Sequence, residues 1–219
     1  QKFVIYLKDL VDEKLQVEDF DKSLIQTEEN AASIAKILIQ RSVYSSKLAE
    51  KFSEIFKCLK RHSRSFEDAF RYVVMQKASS YISNAMPRKK MQVLNNWDHA
   101  FVIVSMIATL YKENIVENFE RLVFKLLMEI REEIKANNDY QGVLTLAKLF
   151  KQVAEKFKND DLEMYLQIMD IAFEMSLVKW KKDIKLDEIT TELLTDFNKS
   201  TEIDVEGWMV SPSLRLAIH

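Results

Sequence analysis

The chain has 219 residues, with only two glycines, two prolines and one cysteine. This composition nearly excludes a β-rich fold, because hairpins and bulges consume glycine, and a lone cysteine excludes an internal disulfide. The formal net charge of −2 hides an uneven distribution: residues 57–90 contain nine basic and two acidic side chains, whereas residues 183–206 contain eight acidic and two basic ones. This asymmetry predicts different partners for the two regions.

The first 60 residues show the apolar period of amphipathic helices. Helices are predicted over 3–17, 28–42 and 45–60. In the second of these, apolar side chains recur at i, i+3, i+4 and i+7, namely Ala31, Ile34, Ala35 and Leu38. The first is a short amphipathic helix, and the third is expected to pair with the second.

Polar turn residues divide the rest of the chain into further helices. Ser65 with Asp68 has capping-box spacing and predicts a helix start, and that helix must end before Pro87. Another helix is predicted over 92–112. Asn114 with Glu117 is the next predicted cap, and two more cap clusters follow. The two predicted breaks are 137–139 and 159–161. Later helices are predicted over 162–179, which is apolar nearly all round, and over 186–197.

These helices group into pairs spaced by roughly 40 residues, the period of HEAT-like repeats. The predicted pairs are 28–60, 65–112, 115–157 and 161–197. No pair buries its apolar face alone, so the pairs are expected to stack. The predicted fold is an all-α solenoid of about four to five stacked antiparallel helix hairpins. Its predicted parts are an N-terminal extension (1–27), a helical-repeat domain (28–200) and a C-terminal tail (201–219).

The most apolar stretch, Ala100 to Tyr111, contains Ser105 and Thr109 and is shorter than the ~18 residues that a membrane span needs. We therefore expect a buried helix and no membrane span. No stretch resembles a signal peptide, and a single thiol is typical of a reducing compartment. The expected location is the cytoplasm, with the nucleus as the alternative.

No pattern in the sequence is typical of an active site. The three histidines (His62, His99 and His219) have no metal-ligand spacing. Cys58 and His62 are four residues apart, but nucleophilic catalysis needs a third, orienting group. A phosphate-binding loop needs more glycine than this chain has. We therefore expect neither an enzyme nor a bound cofactor or metal. Cys58 is expected to be a core thiol and His62 a solvent-facing imidazole beside it.

Two kinds of side chain are candidates for binding macromolecules. The basic stretch predicts phosphate or RNA contact, provided that a helix end and the next hairpin loop approach the same edge. The basic candidates are Lys57, Lys60, Arg61, Arg64, Arg88, Lys89 and Lys90. Trp180 and Trp208 are candidate anchors for a protein partner, whereas Trp97 is expected to pack in the core.

Several stretches also match a known family in apolar pattern and helix order. They are Ala31–Leu38 with Lys47–Ala49, Phe66–Tyr81, Trp97 with Phe101, Leu110–Tyr111, Asp139–Phe157, Met164–Ile171 and Gly207–Trp208. Across residues 28–208 the chain resembles the middle domain of the translation initiation factor 4G family, especially its small stand-alone relatives. The resemblance implies a stack of HEAT-like hairpins without catalytic activity, which holds translation or mRNA-processing factors, a DEAD-box RNA helicase, or RNA.

The sequence therefore predicts a non-enzymatic scaffold or adaptor in translation or mRNA metabolism, with protein partners and RNA contact. The alternative is a helical-repeat adaptor in trafficking or signalling, and this alternative includes an adaptor that forms a homodimer. A helical enzyme whose site has no recognised motif is a third hypothesis. The oligomeric state is left open.

Overall fold

The computed structural model describes residues 1–85, 97–137 and 140–177, together with residues 192 and 195. Over these residues the protein is all-helical, as predicted, and has no strand. The nine α-helices found there are α1 (Lys2–Val11), α2 (Glu28–Val43), α3 (Ser46–Glu50), α4 (Phe52–His62), α5 (Ser65–Ser83), α6 (Trp97–Lys112), α7 (Glu120–Asn137), α8 (Tyr140–Asp160) and α9 (Leu162–Leu177). Two short 3₁₀ turns, Val17–Asp19 and Lys22–Ile25, follow α1.

The helices cluster into two compact units, Gln1–Leu126 and Leu127–His219, and the division falls within α7. In the first unit α2 packs most extensively against α5, and both α2 and α4 also pack against α6. The helices of the first predicted pair therefore contact those of the second. In the second unit α8 packs against α9.

The N-terminal segment is part of the first unit's core. Phe3, Leu7 and Leu10 of α1 are buried, and α1 packs against α3. The two 3₁₀ turns pack against α4 and bury Val17 and Ile25. Burial of these apolar side chains supplies the main stabilisation of the segment, since a fully buried aliphatic or aromatic side chain contributes about 1.5–3 kcal/mol.

The first predicted helix is shorter than expected, because it ends at Val11 rather than at residue 17. Glu13 has a positive φ of 59°. The Lys14 N–H donates to the carbonyl of Asp9 at 2.8 Å and the Glu13 N–H donates to that of Leu10 at 3.3 Å. These two bonds form a Schellman motif, which closes the helix without a glycine.

The predicted cap at Asn114 is also wrong. Asn114 follows α6 with a φ of 54°. Its N–H donates to Tyr111, and the Ile115 N–H donates to the carbonyl of Leu110 at 2.9 Å. The residue thus terminates α6 in a second Schellman motif, and α7 begins only at Glu120. Asparagine tolerates left-handed dihedrals better than most residues, so it suits either end of a helix.

The capping box predicted at Ser65 is absent. Ser65 is the first residue of α5, and Arg64 precedes it without a side-chain cap bond. The Ser65 hydroxyl instead hydrogen-bonds that of Ser63, at 3.1 Å. The predicted helix over 45–60 is also divided, because Lys51 ends α3 and precedes α4.

Other boundaries agree with the sequence. The helix predicted over 28–42 is α2, and Trp97 is buried at the start of α6. The Met164 N–H donates to the Asp161 carboxylate at 3.0 Å, which confirms a cap in the predicted 159–161 cluster. Contrary to the prediction for 162–179, α9 has an exposed polar side, including Gln167 and Glu174.

The predicted helix over 186–197 and the tail over 201–219 lie outside the described residues, apart from helical residues 192 and 195. Within the described part of the chain, no helix combines the length and the apolarity that crossing a bilayer requires.

Candidate interaction surfaces

Helix α4 carries three of the first four basic candidates, of which Lys60 and Arg61 lie in its last turn. Its buried face includes Phe56 and Leu59, whereas Lys57 and Arg61 lie on the exposed face. Lys60 is half-buried, and Arg64 is exposed directly after the helix. Cationic side chains at this end complement the partial negative charge of the helix C-terminus, so their position alone does not require an anionic ligand.

Lys60 is held in a network that joins three parts of the first unit. Its ammonium lies 2.7 Å from the Glu67 carboxylate on α5 and donates to the carbonyl of Ile115 at 2.8 Å. Arg71 contacts the other oxygen of Glu67 at 2.8 Å. Burial alone would raise the pKa of Glu67, but the hydrogen bonds from Lys60 and Arg71 outweigh it and lower that pKa.

Arg71 extends this network towards α7. Its guanidinium donates to the carbonyl of Glu117 and lies 4.6 Å from the centre of the Phe119 ring. Phe119 is fully buried and packs against Phe70. The network therefore ties α4 and α5 to the connection between α6 and α7, and the first role of Lys60 is structural.

Lys57 is paired as well, with its ammonium 3.3 Å from the Glu113 carboxylate. Both side chains are about half exposed, with 52% and 44% of their surface accessible, so solvent screens this pair and its contribution to stability is small. Arg61 and Arg64 make no ion pair with any described residue. Among the basic candidates that the structure describes, these two remain available to a phosphate.

The remaining candidates, Arg88, Lys89, Lys90, Trp180 and Trp208, lie outside the described residues. The chain leaves α5 towards residues 86–96 at the end opposite Arg64. A helix of the length of Ser65–Ser83 is about 28 Å long. Whether the two basic groups share an edge stays a prediction.

A groove lies between the segment α3–α4 and helix α6, with a volume of about 450 Å³. Glu50 and Glu54 stand exposed on one rim, and neither pairs with a described cation. The ion pair between Lys57 and Glu113 also lines the groove. The apolar side chains that line it are Ala49, Phe52, Phe101, Val102 and Met106. The groove thus joins an apolar surface to an acidic rim.

The Cys58–His62 pair has the arrangement expected of a core thiol beside an exposed imidazole. The Cys58 thiol is buried and donates to the carbonyl of Val17 at 3.4 Å, and burial raises its pKa. His62 is exposed, and its ring centre lies 6.1 Å from that of Phe20. A neutral thiol that is held by a carbonyl is a poor nucleophile. Among the residues placed by the structure, no three potential ligands cluster to hold a metal ion.

A cluster of aromatic side chains, which the sequence did not predict, lies where three helices end or begin. Tyr44 follows α2, Tyr81 lies near the end of α5, and His99 lies in the first turn of α6. The His99 ring centre is 4.6 Å from that of Tyr44 and 5.9 Å from that of Tyr81. The three residues are far apart in sequence, so local patterns carry no signal for their proximity.

Comparisons of this chain with protein-family models, with curated proteins and with solved structures found no match.

Proposed function

We propose that this protein is a non-enzymatic scaffold that binds protein partners on its helical faces, in translation or mRNA metabolism. The proposed architecture is a HEAT-like stack of helix pairs, and the packing of α2 and α4 against α5 and α6 supports it. The observation that carries the proposal is the groove between α3–α4 and α6.

The chemistry of the groove favours one type of occupant, a basic amphipathic helix from a partner protein. An amphipathic helix binds by laying its apolar face into an apolar groove. The partly exposed apolar lining around Phe101 and Val102 suits that face, and the unpaired carboxylates of Glu50 and Glu54 suit lysine or arginine on its flank. Opposite charges at the rim of an interface favour the right partner and speed association.

The proposed mechanism is co-localisation. A rigid helical array that holds two partners raises their effective concentration towards each other without any chemical step. The resemblance to the initiation factor 4G middle domain suggests the partner class, namely translation or mRNA-processing factors and a DEAD-box RNA helicase. If affinity purification enriches vesicle-coat or GTPase components and no helicase, the trafficking alternative replaces this one.

The groove is tested by titrating the isotopically labelled protein with a synthetic helical peptide that has leucine on one face and arginine on the flanks. We expect NMR shifts confined to α3, α4 and α6. We also expect binding to weaken by about ten-fold in the double variant Glu50→Lys, Glu54→Lys, a loss of roughly 1.4 kcal/mol.

The matched control is Glu28→Lys, Glu29→Lys, which makes the same charge change on exposed residues of α2. Shifts spread over the whole surface, or equal losses in the two double variants, would show that the peptide recognises only net charge. Either outcome rejects the groove as the docking surface.

A further inference from the structure

The aromatic cluster of Tyr44, Tyr81 and His99 is exposed to solvent. Tyr44 has 65% of its surface accessible, and Tyr81 and His99 are partly exposed. The His99 ring meets Tyr44 at 68° and Tyr81 at 66°. Single exposed aromatic residues are common on protein surfaces, whereas contiguous ones mark binding surfaces.

His99 links the cluster, because its ring contacts both tyrosine rings. Burial, as the larger cause, and the neighbouring Tyr44 hydroxyl raise the pKa of Tyr81 to about 12. The three rings belong to the ends of α2, α5 and α6, which pack against one another. A ligand that stacks on these rings would therefore order few side chains, which lowers the entropic cost of binding.

Two cations lie one helical turn from the rings along the chain. Arg41 is exposed one turn before Tyr44, and Lys77 lies one turn before Tyr81 on α5. Neither makes an ion pair with a described residue. Asp98, next to His99, is the acidic side chain beside the cluster in sequence. Two cations against one carboxylate favour an anionic ligand.

The exposed surface here is aromatic rather than aliphatic. The large apolar side chains exposed in the described residues are Ile5, Tyr44, Tyr72 and Leu162, and the two aliphatic ones belong to α1 and α9. Aromatic faces combined with lysine and arginine are the features with which proteins bind single-stranded nucleic acid, because bases stack on the rings while phosphates meet the cations.

We propose that Tyr44, Tyr81 and His99 form a stacking platform for the bases of single-stranded nucleic acid, with Arg41 and Lys77 as contacts to its phosphates. This surface is separate from the α3–α4 and α6 groove, so the inference does not rest on the protein-docking proposal. Either proposal can fail while the other holds.

The test is fluorescence anisotropy with labelled single-stranded oligonucleotides, oligo(U) RNA and oligo(dT) DNA, from about 50 to 200 mM salt. We expect Tyr44→Ala to weaken binding by about ten-fold, because each base–aromatic stack contributes roughly that factor or more. The salt slope should stay unchanged in this variant. Arg41→Gln and Lys77→Gln should instead reduce the slope by about 0.7 each.

Two controls separate stacking from general damage. Tyr72→Ala removes a tyrosine of similar exposure, 69%, from α5 outside the cluster and should leave the affinity unchanged. Tyr44→Trp should restore binding, since indole stacks at least as well as phenol. Thermal unfolding of each variant confirms that it is folded.

Three results would overturn the inference. They are the absence of binding to both single strands at the lowest salt, an equal effect of Tyr44→Ala and Tyr72→Ala, and equal affinity for a duplex of the same sequence. The last result counts because paired bases cannot stack on a protein ring. Equal affinity for the RNA and DNA strands supports the proposal, since stacking does not require the 2′-hydroxyl.

Discussion

The phenol of Tyr6 and the thiol of Cys58 donate to the same acceptor, the carbonyl oxygen of Val17, at 2.9 and 3.4 Å. Tyr6 belongs to α1 and Cys58 to α4, and Val17 lies in the 3₁₀ turn that packs against α4. All three residues are buried. The shared carbonyl therefore fixes the N-terminal segment to the first unit by polar bonds as well as by apolar packing.

Removal of the Tyr6 hydroxyl should destabilise the protein moderately. In Tyr6→Phe the Val17 carbonyl keeps its weaker bond from the thiol, so we expect a loss of about 1 kcal/mol in the free energy of unfolding. When Cys58→Ala is added to Tyr6→Phe, the buried carbonyl has no donor left, which adds a penalty of about 1–3 kcal/mol. The double variant should thus lose more than the sum of the two single variants.

Urea unfolding of the four chains measures this coupling. The control is Tyr72→Phe, which removes a hydroxyl from an exposed tyrosine and should change nothing. Additive losses in the double variant would show that the two donors act independently.

Alkaline pH should destabilise the protein through Tyr6. Burial is the largest cause that raises the pKa of Tyr6, followed by the charges of Cys58, Glu18 and Asp19. Above the ordinary value of 10.0 the unfolded chain loses the phenolic proton before the folded one does. The folded state then binds more protons, so stability falls as pH rises, by up to about 1.4 kcal/mol per pH unit.

Unfolding free energies of the wild type and of Tyr6→Phe at pH values on both sides of 10.0 test this expectation. The variant is less stable at neutral pH but should lose less on alkalinisation. Parallel curves for the two chains would contradict the assignment to Tyr6.

Acid should weaken the Glu67 network. The pKa of Glu67 is lowered by Lys60 and Arg71 despite burial. Its stabilisation is therefore present above the ordinary value of 4.5 and is lost as pH falls through the lower folded pKa. We expect Glu67→Gln to lose roughly 1 kcal/mol at neutral pH and to show a shallower loss in acid.

Chemical unfolding at neutral and at acidic pH provides the measurement. Asp68→Asn, a substitution of the neighbouring exposed carboxylate, is the control and should unfold like the wild type at neutral pH. An equal acid dependence in Glu67→Gln and the wild type would remove Glu67 as the cause.

The sequence was sufficient for the helices that carry a clear apolar period, such as α2, because burial of one face dictates that period. It failed where polar residues adopt a positive φ. Glu13 and Asn114 end helices in a conformation for which glycine is the usual signal. Because neither position is a glycine, the sequence does not mark these helix ends. Long-range pairs were also hidden. The basic run containing Lys60 was evident, but no local pattern indicated that the Lys60 ammonium forms an ion pair with Glu67.

The basic residues of α4 should separate into structural and binding roles. Lys60→Gln removes a cation from the Glu67 network, so it should lower stability and leave any RNA affinity nearly unchanged. Arg61→Glu with Arg64→Glu alters exposed cations that lack an ion pair among the described residues. It should lower stability only slightly, because Arg61 no longer complements the C-terminus of α4, while weakening RNA binding and flattening its salt dependence, since fewer counterions are released.

The same measurements extend to charge reversal at Arg88, Lys89 and Lys90, which tests the rest of the predicted basic surface. Unchanged RNA affinity and salt slope in that triple variant would exclude these residues from RNA contact. If Lys60→Gln instead weakened RNA binding as strongly as the arginine pair and left stability intact, the structural role assigned to Lys60 would be wrong. Its contacts with Glu67 and Ile115 would then be too weak to withhold it from a phosphate.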